Sequence, residues 1–194
     1  FTGLAVAVAF HGGLFNIGGE GQAMMGGLGA GLAALAFDAQ LPGWAMLPLM
    51  VLAAAVFGMA WGAVPGALQA WRGSHIVITT IMFNFIASSL LIYLLVGVLK
   101  EPGNMSPETR GFSDAAQMPG MHTVLAAFGI EWPRTPANAS VLLALAALVG
   151  VHLLLWRTRL GYALRAVGNA PQAALYAGIR PQSLIVVAMA ISGG

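Results

Sequence analysis

Three polar side chains on an otherwise apolar run are the first chemistry the sequence offers. Thr80, Asn84 and Ser88 recur every four residues, so a helix would carry hydroxyl, amide and hydroxyl in one stripe. Such a stripe should not face lipid. It either makes interhelical hydrogen bonds, worth about 0.6 kcal/mol on average in one measured membrane protein, or lines a wet path. A second polar set, Asn16, Glu20 and Gln22, lies in the glycine-rich run from Gly12 to Gln22. That run cannot be a stable uninterrupted helix, because each Gly costs ~1 kcal/mol relative to Ala. Apolar runs flank it on both sides, which predicts a discontinuous membrane segment whose unwound backbone is satisfied by protein or by a water-filled cavity. Glu20, just before a helix start, is either a structural cap that favours the positive helix end or a gate residue in a pathway.

No enzymatic constellation accompanies these groups. The phosphate-cradling GxxxxGK[ST] is absent and the only Lys is Lys100, so the chain has no P-loop for ATP. There is no HExxH, no clustering of metal ligands and no Ser, His and carboxylate arrangement. No catalytic residue, metal or cofactor is therefore assigned. His75 reads as a capping or headgroup contact, and His152, with no second ligand nearby, as a snorkelling or hydrogen-bonded side chain.

The elements that must position the polar groups follow from composition. Of 194 residues, 59% are hydrophobic and 7% charged, where a soluble domain carries roughly 25% charged residues. An ordinary water-soluble domain is excluded. Glu20, Asp38 and Arg72 stand alone, and the other charges fall within Lys100 to Arg134 and Arg157 to Arg180. Measured against the ~20 apolar residues that cross a bilayer, the intervals give spans at about 22–40, 44–70, 76–99 and 139–156, with a truncated span at 182–194. The class is an all-α, polytopic transmembrane helix bundle. In the second span Gly58, Gly62 and Gly66 share one face and let another helix approach closely, and Pro65 is expected to bend it. The chain begins with Phe and its last apolar stretch stops after 14 residues, so it reads as a piece of a longer membrane protein.

Orientation comes from the loops. The segment from Arg157 to Arg180 holds four Arg and no acid, whereas Lys100 to Arg134 holds three basic residues against four acidic ones. Basic loops stay cytoplasmic, so 157–180 is placed inside and 100–138 outside. Eight basic residues, this scattered, form no phosphate-tracking patch, and no nucleic-acid partner is expected. The external loop contains Pro102, Gly103, Asn104, Pro107, Pro119, Pro133 and Pro136. Its length marks it as a binding surface or a mobile lid. The inner loop is predicted as a compact two-helix element: a basic helix from Arg157 to Val167, a break at Gly168 and Asn169 with Asn169 capping, and a second helix started by Pro171. Ala173, Ala174 and Ala177 keep that second helix slim, and Gly178 supplies its end signal. Exposed Leu175, Tyr176 and Ile179 suit insertion into a groove on a partner or a helix lying flat in the interface.

Three blocks carry a family resemblance: "GLFNIGGEGQ" from Gly13, "WGAVPGALQAWRGSHIVITTIMFNFIA" over 61–87, and "RTRLGYALRAVGNAPQAALYAGI" over 157–179. Together they resemble the membrane-spanning permease subunit of bacterial ABC importers, in the branch handling branched-chain amino acids, simple sugars and nucleosides, and are most similar to the guanosine-type nucleoside permeases. The resemblance implies a multi-pass protein of the cytoplasmic (inner) membrane with no nucleotide site of its own. The implied partners are ABC ATPase subunits, a second permease subunit and an extracytoplasmic solute-binding protein. It implies that Arg165, Ala166, Gly168, Asn169, Ala173, Ala174 and Gly178 form the core of an ATPase-coupling element, and that Asn16, Glu20, Gln22 and Asn84 are functional polar positions in the membrane. The chain departs from the family pattern at His11 and Gln69, where a basic residue is usual, and at Ile76, where an acidic one is common. An ion-coupled secondary transporter is the alternative, and it would have to work through Glu20, the one carboxylate in the apolar spans. A membrane enzyme is the weaker rival.

Overall fold

The computed structural model covers residues 1–194 and describes all of them except Pro102, Asn104, Phe128 and Trp132. The reading of Pro102 and Asn104 as part of an external loop thus falls outside the described residues. Among the described residues nine α-helices follow one another: α1 (Thr2–His11), α2 (Gly19–Phe37), α3 (Gly43–Arg72), α4 (Ile76–Gly97), α5 (Met121–Ala126), α6 (Ser140–Arg157), α7 (Arg159–Asn169), α8 (Pro171–Tyr176) and α9 (Pro181–Gly193). A 3-10 turn, Asp114–Ala116, precedes α5. Among the described residues there is no strand, only an isolated bridge between Gly120 and Asn138. Helices are the expected answer to a lipid solvent, because each satisfies its own backbone polar groups.

Three helices are long and apolar enough to cross a membrane among the described residues: α3, α4 and α6. Their outward faces carry Val56, Phe85, Ile92, Leu145 and Val149, all exposed, as lipid-facing surfaces should be. The 19-residue α2 is richer in Gly and lies against α3 and α4. It starts at Gly19 and ends at Phe37, earlier at both ends than the expected 22–40. Glu20 consequently sits inside its first turn, not ahead of it, and the unwound stretch is the shorter Gly12–Gly18. Helix α3 runs unbroken through Pro48 and Pro65.

Two ends of this bundle differ in character. At the Arg72 end, Ala9, Leu14, Ile76, Leu164, Ala188 and Met189 form one buried cluster that joins α1, α4, α7 and α9. At the Asp38 end a smaller cluster of Ala34, Met46 and Ala116 joins α2, α3 and the 3-10 turn. A third cluster, Met25, Leu28 and Ala87 with Trp61 beside it, fills the middle between α2, α3 and α4.

The shared face of Gly58, Gly62 and Gly66 lies against α9. A methyl group on Gly58 would collide with the Gly193 carbonyl, one on Gly62 with the Met189 carbonyl, and one on Gly66 would lie 2.8 Å from the Met189 Cβ. Backbone thus approaches backbone along two turns of helix, which maximises dispersion contact where hydrophobic driving force is weak.

Candidate functional site

The unwound Gly12–Gly18 segment leaves α1 at the Arg72 end and climbs back into the bundle. Gly13 starts the climb with φ of 73°, a left-handed conformation that glycine adopts without steric cost. Asn16 is then almost wholly buried at 1% exposure, and its amide is the hub of the site. Its Nδ2 donates to Gln22 Oε1 at 3.0 Å and to Ser192 Oγ at 2.7 Å, while its Oδ1 accepts the Gly18 N–H at 2.8 Å. Ser192 Oγ donates in turn to the Ala5 carbonyl at 2.6 Å. One buried network thereby ties α1, the unwound segment, α2 and α9. Each member is satisfied, as an apolar surrounding requires.

Asn84 secures the other side of the same segment. Its Nδ2 donates to the Ile17 carbonyl at 3.0 Å and its Oδ1 accepts the Gly21 N–H at 2.9 Å. A side-chain amide offers both a donor and an acceptor, and here they pin Ile17 of the unwound segment and the first turn of α2 to α4. Asn84 therefore makes the interhelical bonds that the polar stripe could supply. Thr80 does not: its hydroxyl donates back to the Ile76 and Val77 carbonyls at 2.9 and 3.0 Å, and its side chain packs under Gly18. Half-buried Ser88, one turn beyond Asn84, is outside this network. Glu20 is exposed at the start of α2, beside the hub but not bonded into it.

A cavity of about 570 Å³ opens next to the hub between α1, α2, α3, α6 and α9. Gln22 and Ser192 stand in a largely apolar wall that mixes small residues such as Gly26 and Ala54 with larger ones such as Phe1, Leu143 and Ile191. Ser192 was not singled out in the sequence, since a lone Ser near an apolar terminus carries no periodic signal. Among the described residues no group of three or more His, Asp or Glu could hold a metal ion.

The segment 157–180 folds at the Arg72 end. Thr158 caps α7, its Oγ1 accepting the Gly161 N–H at 3.0 Å. Helix α7 is strongly amphipathic and buries Gly161, Leu164 and Val167, so it lies against the bundle, and α8 packs beside it through Ala174 with its other residues exposed. It runs through Gly168 to Asn169, and the break comes at Ala170. Asn169 does not cap α8: its Nδ2 donates to the Arg165 carbonyl at 2.7 Å, because a residue still helical can reach its own preceding turn. Ala174 points inward at 3% exposure, while Ala173 and Ala177 face solvent. Gly178, with φ of 81°, ends the element, and the Ile179 N–H donates to the Ala174 carbonyl at 3.0 Å. Leu175 is exposed and Tyr176 stands 92% exposed. Between α7 and α8 runs a groove of about 440 Å³ edged by Arg165, Ala166, Asn169, Ala173 and Ala174. The Arg165 guanidinium lies 4.3 Å from the centre of the Trp156 ring, a cation–π geometry, and the His11 ring meets the same indole edge-on at 6.1 Å.

At the opposite end Asp38 organises the long loop. Arg110 grips it with two bonds, Nη2 to Oδ1 at 2.8 Å and Nη1 to Oδ2 at 3.0 Å, and also donates to the Leu35 carbonyl at 3.0 Å. The Ser113 N–H donates to Oδ2 at 2.9 Å and the Ser113 hydroxyl to the Asp38 carbonyl at 3.0 Å. The Arg110 bonds, then the Ser113 N–H, lower the Asp38 pKa to about 2. The part of the loop around 110–117 is thus fastened, with Ala116 buried on α3.

Comparison with known proteins agrees with this architecture. The family described as the permease component of branched-chain amino acid transport systems matches residues 1–194. The chain is 35% identical over 193 residues to the glucose ABC transporter permease protein TsgB13 of Haloferax volcanii, covering 99% of this chain and 50% of that protein. It is 33% identical over 200 residues to the nucleoside ABC transporter permease protein NupB of Lactococcus lactis, covering 99% and 52%. It is 35% identical over 192 residues to the guanosine ABC transporter permease protein NupP of Bacillus subtilis, again covering 99% and 52%. No solved structure matches the chain. The chain spans about half the length of the curated relatives it matches. With its apolar helices and a match along its whole length, the chain belongs to the permease-component family of ABC transport systems and is a multi-pass membrane protein.

Proposed function

We propose that the chain is part of the permease subunit of an ATP-driven importer, forming a solute pathway for nucleosides or related sugars and receiving its drive from separate ATPase subunits through residues 157–180. The observation that carries this reading is the outward-standing α8. It presents Tyr176, Leu175 and small residues beside an open groove, at the end of the molecule where α3 closes on Arg72 and the segment 157–180 carries Arg157, Arg159, Arg165 and Arg180. A slim helix with apolar tips suits a partner's groove, and the basic residues favour the cytoplasmic side. In the membrane, Asn16, Gln22, Asn84 and Ser192 hold the wall of the pathway, and exposed Glu20 stands at its edge. The names of the three relatives, covering glucose, nucleosides and guanosine, support sugar-bearing solutes as the class. A second permease subunit and an external binding protein complete the proposed machine, the binding protein meeting the loop fastened by Asp38.

The test is Ala177→Arg in the complete transporter in vesicles. Ala177 is exposed immediately after α8, so a bulky cation there is tolerated by the fold but obstructs a seated partner. Copurification of the ATPase subunits and ATP-driven uptake of guanosine or glucose should both drop sharply. Unchanged copurification and uptake would remove the coupling assignment. Uptake stopped by an ionophore yet indifferent to ATP depletion would favour an ion-coupled carrier instead.

A further inference from the structure

At the Arg72 end, the backbone of α7 meets the start of the unwound segment with no side chain between them. A methyl group on Gly168 would collide with the His11 carbonyl and would lie 2.8 Å from the Gly13 nitrogen and 3.0 Å from the Gly12 carbonyl carbon. The relation is reciprocal, since a methyl on Gly13 would sit 3.1 Å from the Gly168 Cα. The contact is steric: the N–H groups of Gly12 and Gly13 donate to Ala9 and Phe10 within their own turn. Around it, Leu14 and Leu164 share a buried cluster, and Trp156 touches both His11 and Arg165.

What lies beyond the contact is tied without slack. Three residues past Gly13, Asn16 is bonded to Gly18, Gln22 and Ser192, and Ile17 is bonded to Asn84. Close-packed atoms transmit displacement because they cannot be compressed. A push on Gly168 must therefore move Gly13, and the short unwound stretch between Gly13 and Asn16 carries that motion to the hub. Gln22 and Ser192, at the far side of the hub, line the cavity.

We propose that the Gly168–Gly13 contact is the joint through which movement of α7 and α8 reaches the unwound segment, and that Asn16 and Asn84 are the positioning residues that pass it to α2, α4 and α9. This rests on the reading that 157–180 engages the ATPase subunit, and the experiment separates the two.

These 194 residues contain no Cys, so thiols introduced among them have no native competitor within this stretch, and any Cys elsewhere in the complete transporter is replaced first. Phe15 is exposed on the unwound segment. In the complete transporter with full-length permease, Phe15→Cys should change its rate of reaction with a maleimide several-fold between the nucleotide-free state and the state trapped with ATP and vanadate. With Gly168→Ala added, that change should disappear. An equal change in both backgrounds, or none in either, overturns the joint. A second pair guards against misfolding: Gly12→Cys with Ala188→Cys. Gly12 has φ of −85°, open to any residue, and a Cβ there would lie 3.3 Å from the Ala188 Cβ, close to the separation of about 3.5–4.5 Å in disulfides. Oxidation should cut guanosine or glucose uptake at least tenfold and dithiothreitol should restore it, the ATPase subunit staying bound throughout; full uptake by the oxidised protein overturns the joint. Separately, Tyr176→Cys should cross-link to the ATPase subunit. Absence of that cross-link sinks the coupling reading itself, whereas its presence alongside a failed labelling test sinks only the joint.

Discussion

The two ends of the molecule are fastened by opposite kinds of chemistry. At the Asp38 end a carboxylate accepts two guanidinium bonds and a backbone N–H, directional and charge-assisted contacts that fix one geometry. At the Arg72 end, 157–180 contains no acid at all, and α7 is held by apolar burial, an arginine on an indole and backbone-to-backbone glycine contact. Such contacts are short-ranged and non-directional, so they hold elements together while permitting them to shift. The difference suggests a fixed face and a movable one, joined through the hub at Asn16.

The sharpest way to break that picture is to remove the hub. Asn16→Leu leaves Gln22 Oε1 and the Gly18 N–H without their Asn16 partner in an apolar surrounding, while Ser192 keeps its bond to the Ala5 carbonyl, and a buried unsatisfied polar group costs about 1–3 kcal/mol. Thermal unfolding in detergent should fall by many degrees, and a midpoint equal to the parent's would mean the network is not structural. Asn84→Leu should follow, with a loss of about 1–2 kcal/mol if two membrane hydrogen bonds each contribute near the measured average. Its paired control is Thr80→Val. That hydroxyl bonds only within its own helix, so the cost should stay below about 1.5 kcal/mol, and a larger loss from Thr80→Val than from Asn84→Leu would reverse the ranking drawn from the geometry.

The fixed face can be tested separately. Asp38→Asn keeps the shape but gives up the charge, and should speed proteolysis within 100–138 several-fold while leaving ATPase association intact. Equal cleavage of both proteins would show that the latch does not hold the loop. The acid response has a defined sign. Asp38 is lowered to about 2 from an unfolded value of about 3.9, so its contribution is complete above about pH 4 and is lost as pH falls toward 2. The wild-type loop should become more protease-sensitive to an acid-active protease across that window, and Asp38→Asn should flatten the dependence. The smallest effect is expected from Ser88→Ala, within about 0.5 kcal/mol, since Ser88 lies outside the network; a loss matching Asn84→Leu would require a partner for it.

Much of the architecture was legible because lipid leaves few options. Low charge and long apolar intervals dictate helices, and the positions of Arg72, Pro42 and Pro171 mark where they stop or start. The glycine-rich run announced an interruption, but its bounds slipped: Gly19, Glu20 and Gly21 are helical, because Asn84 supplies the Gly21 N–H with a partner that local propensity cannot anticipate. Asn169 misled in a similar way. Its type favours capping, yet α7 continued through it once Leu164 and Val167 had an apolar surface to bury against.

By itself the sequence determined the solvent of this protein, its helical class, its family and the places where polar chemistry was concentrated. It could not determine which of those polar groups meet. Asn16 and Ser192 are separated by most of the chain, as are Gly13 and Gly168, and Arg110 lies far from Asp38. Periodicity speaks only about neighbours on one helix, within a turn or two. Pairings between helices are fixed when backbones close to contact distance, and that closure is decided by how all the faces pack together.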